Sequence, residues 1–127
     1  MTDLNKRWDA LTITGELPVG VYFAGVRHKE FVLRAGVTGD LIAAQELHPE
    51  GPLQLITLEV FRRQILRLGD IEPQHLTTEL LRAELLESDL AVIADADIAL
   101  EKKLKPQSAA STPGAASNSI SSEPASG

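Results

Sequence analysis

Cysteine is absent from this chain. Disulfides and thiolate metal sites are therefore excluded, and thiol chemistry gives no clue to compartment. Aromatic residues make up only 4% of the sequence, with one tryptophan and one tyrosine. A core must be built mainly from Leu, Ile, Val and Ala. No run of about 18 apolar residues occurs, so a transmembrane helix is not expected. The stretch from Met1 to Trp8 carries Asp3, Lys6 and Arg7 and no apolar centre, so no secretory signal is expected either. The expected location is the cytoplasm of the producing cell. Basic residues are in deficit, and the formal net charge is −6. Phosphate backbones need a basic surface, so nucleic acid is not an expected partner; nor is a membrane.

The composition changes character at Pro106. From there to Gly127 the chain is mostly Ser, Ala, Pro and Gly, with no Lys or Arg, one acid (Glu123) and one large apolar residue (Ile120). Such a segment cannot bury enough surface to offset the entropy of ordering it. The expected organisation is a single domain over 1–105 and a disordered tail over 106–127. About 100 residues is an ordinary size for one core.

Within that domain, Leu11 to Thr14 alternates and is β-branched, which predicts a short strand. Gly15 to Gly20, with Pro18, predicts a turn. Val21 to Phe23 reads as a second strand, Gly25 as a turn or bulge, and Arg27 to Arg34 as a third strand. The result is a hairpin or three-stranded meander whose apolar face needs helices over it. Thr38 is a candidate N-cap for a short Ala-rich helix to about Leu47. Pro52 suits the first position of the next helix. Leu53 to Leu68 predicts a long helix with two stripes: Leu58, Phe61, Ile65 and Leu68, and beside them Leu53, Ile56 and Val60. A helix so apolar around its circumference is either the centre of the fold or part of a partner surface. Thr77 or Thr78 opens another helix to about Leu86. Ser88 is a candidate cap for the last helix, which ends near Leu104 before Pro106. The fold class is α+β, with about four helices after the strands.

Chemistry-bearing patterns are scarce. His28, His48 and His75 have no metal-ligating spacing. No phosphate-binding loop or nucleophile elbow occurs. Asp95 and Asp97 would point roughly 200° apart on one helix and cannot share a substrate. From Asp70 to Glu101 there are nine acids and one base, Arg82, which predicts an exposed acidic face or a basic partner. No catalytic, cofactor-binding or metal-binding residue is expected, and the protein is not expected to be an enzyme. One sharper pattern is Leu90, Ile93, Asp97, Leu100 and Leu104, a heptad-like seam with an acid at its middle. A polar residue in such a seam can fix register and keep a contact reversible. The alternative is a helix packed on its own core with Asp97 near an edge. Candidate protein-binding residues are therefore Leu53, Ile56, Val60, Leu90, Ile93, Asp97, Leu100 and Leu104.

The order of the pieces carries a resemblance. Phe31-Val32-Leu33-Arg34 leads into Val37-Thr38-Gly39-Asp40 and an Ala-rich helix. A Leu-rich segment closes on Ile65-Leu66-Arg67-Leu68-Gly69 and an acidic loop. Ser88-Asp89-Leu90 then opens a helix ending Leu100-Glu101-Lys102-Lys103-Leu104. Over Leu17 to Leu104 the chain resembles the small tail assembly chaperones of Mu-like tailed bacteriophages. The tail after Pro106 is not part of that pattern. The resemblance implies a protein that binds the hydrophobic tape measure protein in the host bacterial cytoplasm and keeps it soluble during virion morphogenesis. Such a protein is displaced as the tail tube forms and is absent from the mature virion. The tail tube protein and a homo-oligomer are further contacts to consider. Two other readings stand beside it: a small prophage adaptor or regulatory module, and a structural tail or baseplate component.

Overall fold

The computed structural model describes residues 8–105. The tail expected from Pro106 onward lies outside the described residues. The chain runs through strand β1 (Thr12–Phe23), strand β2 (Val26–Arg34), helix α1 (Thr38–Leu47), helix α2 (Leu53–Gln64) and strand β3 (Ile65–Leu68). A 3-10 turn (Pro73–His75), helix α3 (Thr78–Glu84) and helix α4 (Glu87–Leu104) follow. The class is α+β: a three-stranded antiparallel sheet in the order β1-β2-β3, with four helices.

The turn between β1 and β2 follows from its residues. Phe23 pairs with Val26, leaving Ala24 and Gly25 as a two-residue loop. Both have positive φ, 54° and 82°. That is the type I′ geometry whose twist matches a right-handed hairpin.

Two strand boundaries differ from expectation. Gly15 to Gly20 is not a turn between two strands. β1 is continuous through it, and the register slips between Glu16 and Val21. Glu16 faces Glu30 and Val21 faces His28, so Leu17 to Gly20 bulge opposite Lys29 alone. The bulge suits Pro18, which has no N–H for a ladder. It also drives Leu17 into the core, fully buried beside Val21.

The second correction is the long helix. α2 stops at Gln64, and Ile65 takes extended angles (φ −75°, ψ 114°) to begin β3. Phe31 pairs with Leu68 and Leu33 with Ile65, with a slip between them that leaves Leu66 extra. This bulge brings Ile65 and Leu68 to the same buried face although they are three residues apart. Three is also a helical step, so the periodicity fits both readings.

The core joins Leu17 and Val21 of β1, Phe31 and Leu33 of β2 and Leu68 of β3 to Leu58 of α2, Leu81 of α3 and Ile93 of α4. Phe31 lies against Gly15, its cross-strand partner, where a Cβ would meet the ring. Helix starts are mixed in kind. Thr77 caps α3 as expected, accepting the Leu80 N–H at 3.1 Å. Thr38 and Ser88 do not cap; each lies inside its helix, and Val37 and Leu86 precede the first turns. Pro52 likewise sits one residue before α2 rather than at its first position.

Candidate docking surface

α1 is apolar on both sides. Ala44 is buried against the rest of the fold, while Leu41 and Ile42 are 48% and 50% exposed. At about 100° per residue, Ile42 stands roughly opposite the buried Ala44, while Leu41 lies about 60° from it, at the margin of the buried face. α1 packs on α2 as a helical hairpin, and at its tip Leu47 and Leu53 are 60% and 73% exposed. These four residues put large aliphatic side chains into water on one supersecondary unit. Tyr22, Val26, Leu86, Ile98 and Leu104 are also exposed, on other elements. Scattered apolar residues are normal on a surface, and it is four of them on one hairpin that makes this unit the candidate contact surface.

The hairpin is anchored by charge. The Arg34 guanidinium, at the end of β2, donates to both oxygens of Asp40 in the first turn of α1, at 2.9 and 2.8 Å. It also donates to the Ala35 carbonyl and to the Arg63 carbonyl at the end of α2. Asp40 additionally accepts the Val37 N–H at 2.8 Å and pairs with Arg63 at 3.4 Å. The Trp8 ring lies over the Arg34 guanidinium at 4.8 Å. Burial pushes the Asp40 carboxyl upward, but the bond from Arg34, the Val37 N–H and the charges of Arg34 and Arg63 outweigh it. The net effect holds its pKa below the ordinary carboxylate value.

Glu59 makes a second buried pin. It accepts the Thr78 hydroxyl at 2.6 Å and the Arg62 guanidinium at 3.1 Å, and lies 3.4 Å from His48 Nε2. Burial raises its pKa, and these bonds with the Arg62 charge lower it further than burial raises it. The pin ties α2 to the start of α3 and to the loop after α1.

The seam expected on α4 is not a surface. Ile93 and Leu100 are each 1% exposed and belong to the protein's own core. Leu90 packs against that core. Asp97 accepts a hydrogen bond from Gln64 Nε2 at 2.9 Å, and the same amide nitrogen reaches the Arg34 carbonyl at 3.0 Å. Asp97 is thus the edge acid of an intramolecular helix, and only Leu104 of the seam is well exposed. On α2, Leu53 is outward, whereas Ile56 and Val60 are half-buried. Asp89, one of the nine acids of the expected acidic face, is instead fully buried and grips the β1 bulge.

Leu41, Ile42 and Leu47 were not legible as a site. The signal for them is three large aliphatic residues spread around a short helix, with Ile42 opposite Ala44, too many for one buried stripe. The histidines have separate roles: His28 Nδ1 accepts the Asp70 N–H and His75 lies beside the Phe23 ring. Among the described residues no group of three metal-ligating side chains forms, and no helix is long and apolar enough to cross a membrane. A groove of about 700 Å³ is lined by Trp8, Val32, Leu66, Ile71 and Leu76, with Arg67 among its charged residues. No histidine lines it.

Comparison with protein-family models, with curated proteins and with solved structures returns no match.

Proposed function

We propose that this protein is a tail assembly chaperone that binds an apolar helical client of the tape measure type and keeps it soluble. The observation that carries the reading is the α1–α2 hairpin, where Leu41, Ile42, Leu47 and Leu53 are 48% to 73% exposed. A holdase needs apolar surface that its own core leaves unused, on an element held firmly enough not to collapse. The buried Arg34–Asp40 pair supplies the second condition. The net charge of −6 favours solubility of a loaded complex. The resemblance in the order of sequence pieces supplies the identity of the client class.

The test is co-expression with segments of the tape measure protein encoded in the same genome. The soluble yield of the segment should rise with the wild-type chain. It should not rise with a Leu41→Asp, Leu53→Asp variant, whose changes lie on exposed positions. An unchanged yield with the wild type would remove the reading. Mass spectrometry of purified particles decides between this role and that of a retained structural component, which would be found in them.

A further inference from the structure

We propose that the hairpin selects clients by charge: its occupant is an amphipathic helix whose apolar stripe is bordered by lysine or arginine. This rests on the docking role of the hairpin proposed above. No Lys or Arg occurs between Arg34 and Arg62, so the basic side chain of α1, the loop after it and most of α2 is His48, which faces the buried Glu59 at 3.4 Å. The acids of this span fall into two groups. Asp40 and Glu59 are buried and matched by Arg34, Arg63 and Arg62. Glu46 and Glu50 are exposed and have no ion-pair partner among the described residues.

Their position relative to the apolar group is what matters. Glu46 is four residues after Ile42 on α1, so the two side chains are neighbours on one face. Glu50 lies in the short loop between Leu47 and Leu53 at the hairpin tip. The exposed aliphatic surface thus has two unpaired carboxylates beside it, while the hairpin's own basic groups, His48, Arg62 and Arg63, are each paired with Glu59 or Asp40. Charges at the rim of an apolar contact add little affinity each, but they penalise like charge and speed the approach of opposite charge. A client helix edged with acids is repelled at two points, and one edged with bases is drawn in at both.

Two synthetic peptides of about 20 residues, sharing one Leu/Ala stripe and bordered by either lysine or glutamate, test this against the full chain by fluorescence anisotropy. At low ionic strength the lysine-bordered peptide should bind about tenfold tighter, and high salt should narrow the gap. The Glu46→Lys, Glu50→Lys double variant, changed only at exposed sites, should reverse the preference. Equal binding of both peptides, or a preference unmoved by the double variant, overturns the charge inference and leaves the docking role standing. Binding of neither peptide, or binding untouched by Leu41→Asp with Leu53→Asp, overturns the docking role and this inference with it.

Discussion

Replacing Asp89 by alanine should be among the most damaging single changes in this protein, although the residue lies in an acid-rich, Ala-rich helix. Its side chain is 0% exposed. One oxygen accepts the Gly20 N–H at 2.7 Å, and the Val19 N–H is shared between both oxygens at 3.2 and 3.3 Å. These two donors belong to the β1 bulge, where no partner strand can take them. Hydrogen bonds to an ionised group are worth about 1.5–3 kcal/mol each. Counting the short bond in full and the shared one at about half, the loss is about 2–4.5 kcal/mol. A native domain has only about 5–15 kcal/mol in all. For a domain of this size the melting temperature should fall by about 10–35 °C. Asp89→Asn keeps one acceptor and should lose about half as much. Asp95→Ala, exposed on the same helix, should stay within about 0.5 kcal/mol of wild type. Urea unfolding followed by far-ultraviolet circular dichroism measures all three. If Asp89→Ala matches Asp95→Ala, the carboxylate does not hold the bulge and the reasoning fails.

Three further changes probe other parts of the fold. Asp40→Asn breaks a buried ion pair and should cost about 3 kcal/mol at neutral pH. Because the folded pKa of Asp40 is lowered, the unfolded chain binds more protons as pH falls, so the wild type loses this stability through and below the ordinary carboxylate range. The gap between variant and wild type should therefore close in acid, which urea midpoints across pH would reveal; a constant gap counts against the assignment. Ala24→Asn should stabilise by up to about 1 kcal/mol, because Asn tolerates the positive φ of that turn position better than Ala; calorimetry showing a loss would refute the turn assignment. Leu100→Asp should cost more than about 4 kcal/mol and abolish the cooperative transition, since it buries an unpaired charge; a folded variant by circular dichroism would return the α4 seam to the surface.

What could be read from the sequence was local, and what could not was held by distant partners. β2, the Ala24–Gly25 turn, the Thr77 cap and the end of α4 at Leu104 are each determined by residues within one or two turns. The Pro18 bulge imitates a turn because Pro and Gly cluster there. What makes it part of a strand is Asp89, some 70 residues away. β3 imitates the last turn of α2, because its own bulge places Ile65 and Leu68 at a helical spacing. The stripe on α4 was visible, but an apolar stripe records only that a face is covered. That β1 covers it, rather than another molecule, is a tertiary fact. Asp40 and Glu59 gave no warning at all, since a buried acid is recognised by the guanidinium that meets it.

The mode of anchoring also explains why α1 can keep aliphatic side chains in water. A helix docked by its apolar stripe uses that stripe, and nothing is left for a partner. α1 buries Ala44 and Asp40 fully, and its larger side chains Leu41, Ile42 and Leu47 remain outward. Ala44 alone brings little area, so position and register come from Asp40, held by two hydrogen bonds from Arg34 and a third from Val37. The forked guanidinium fixes both distance and angle, which an aliphatic contact does not. Removing Asp40 should therefore do more than lower stability. With its orienting pair gone, α1 can roll its outward leucine and isoleucine onto α2, and client binding should fall more than the fraction unfolded accounts for. Measuring peptide affinity of Asp40→Asn under conditions where it is fully folded separates the two effects. Unchanged affinity there would mean that packing on α2 alone sets the face α1 presents.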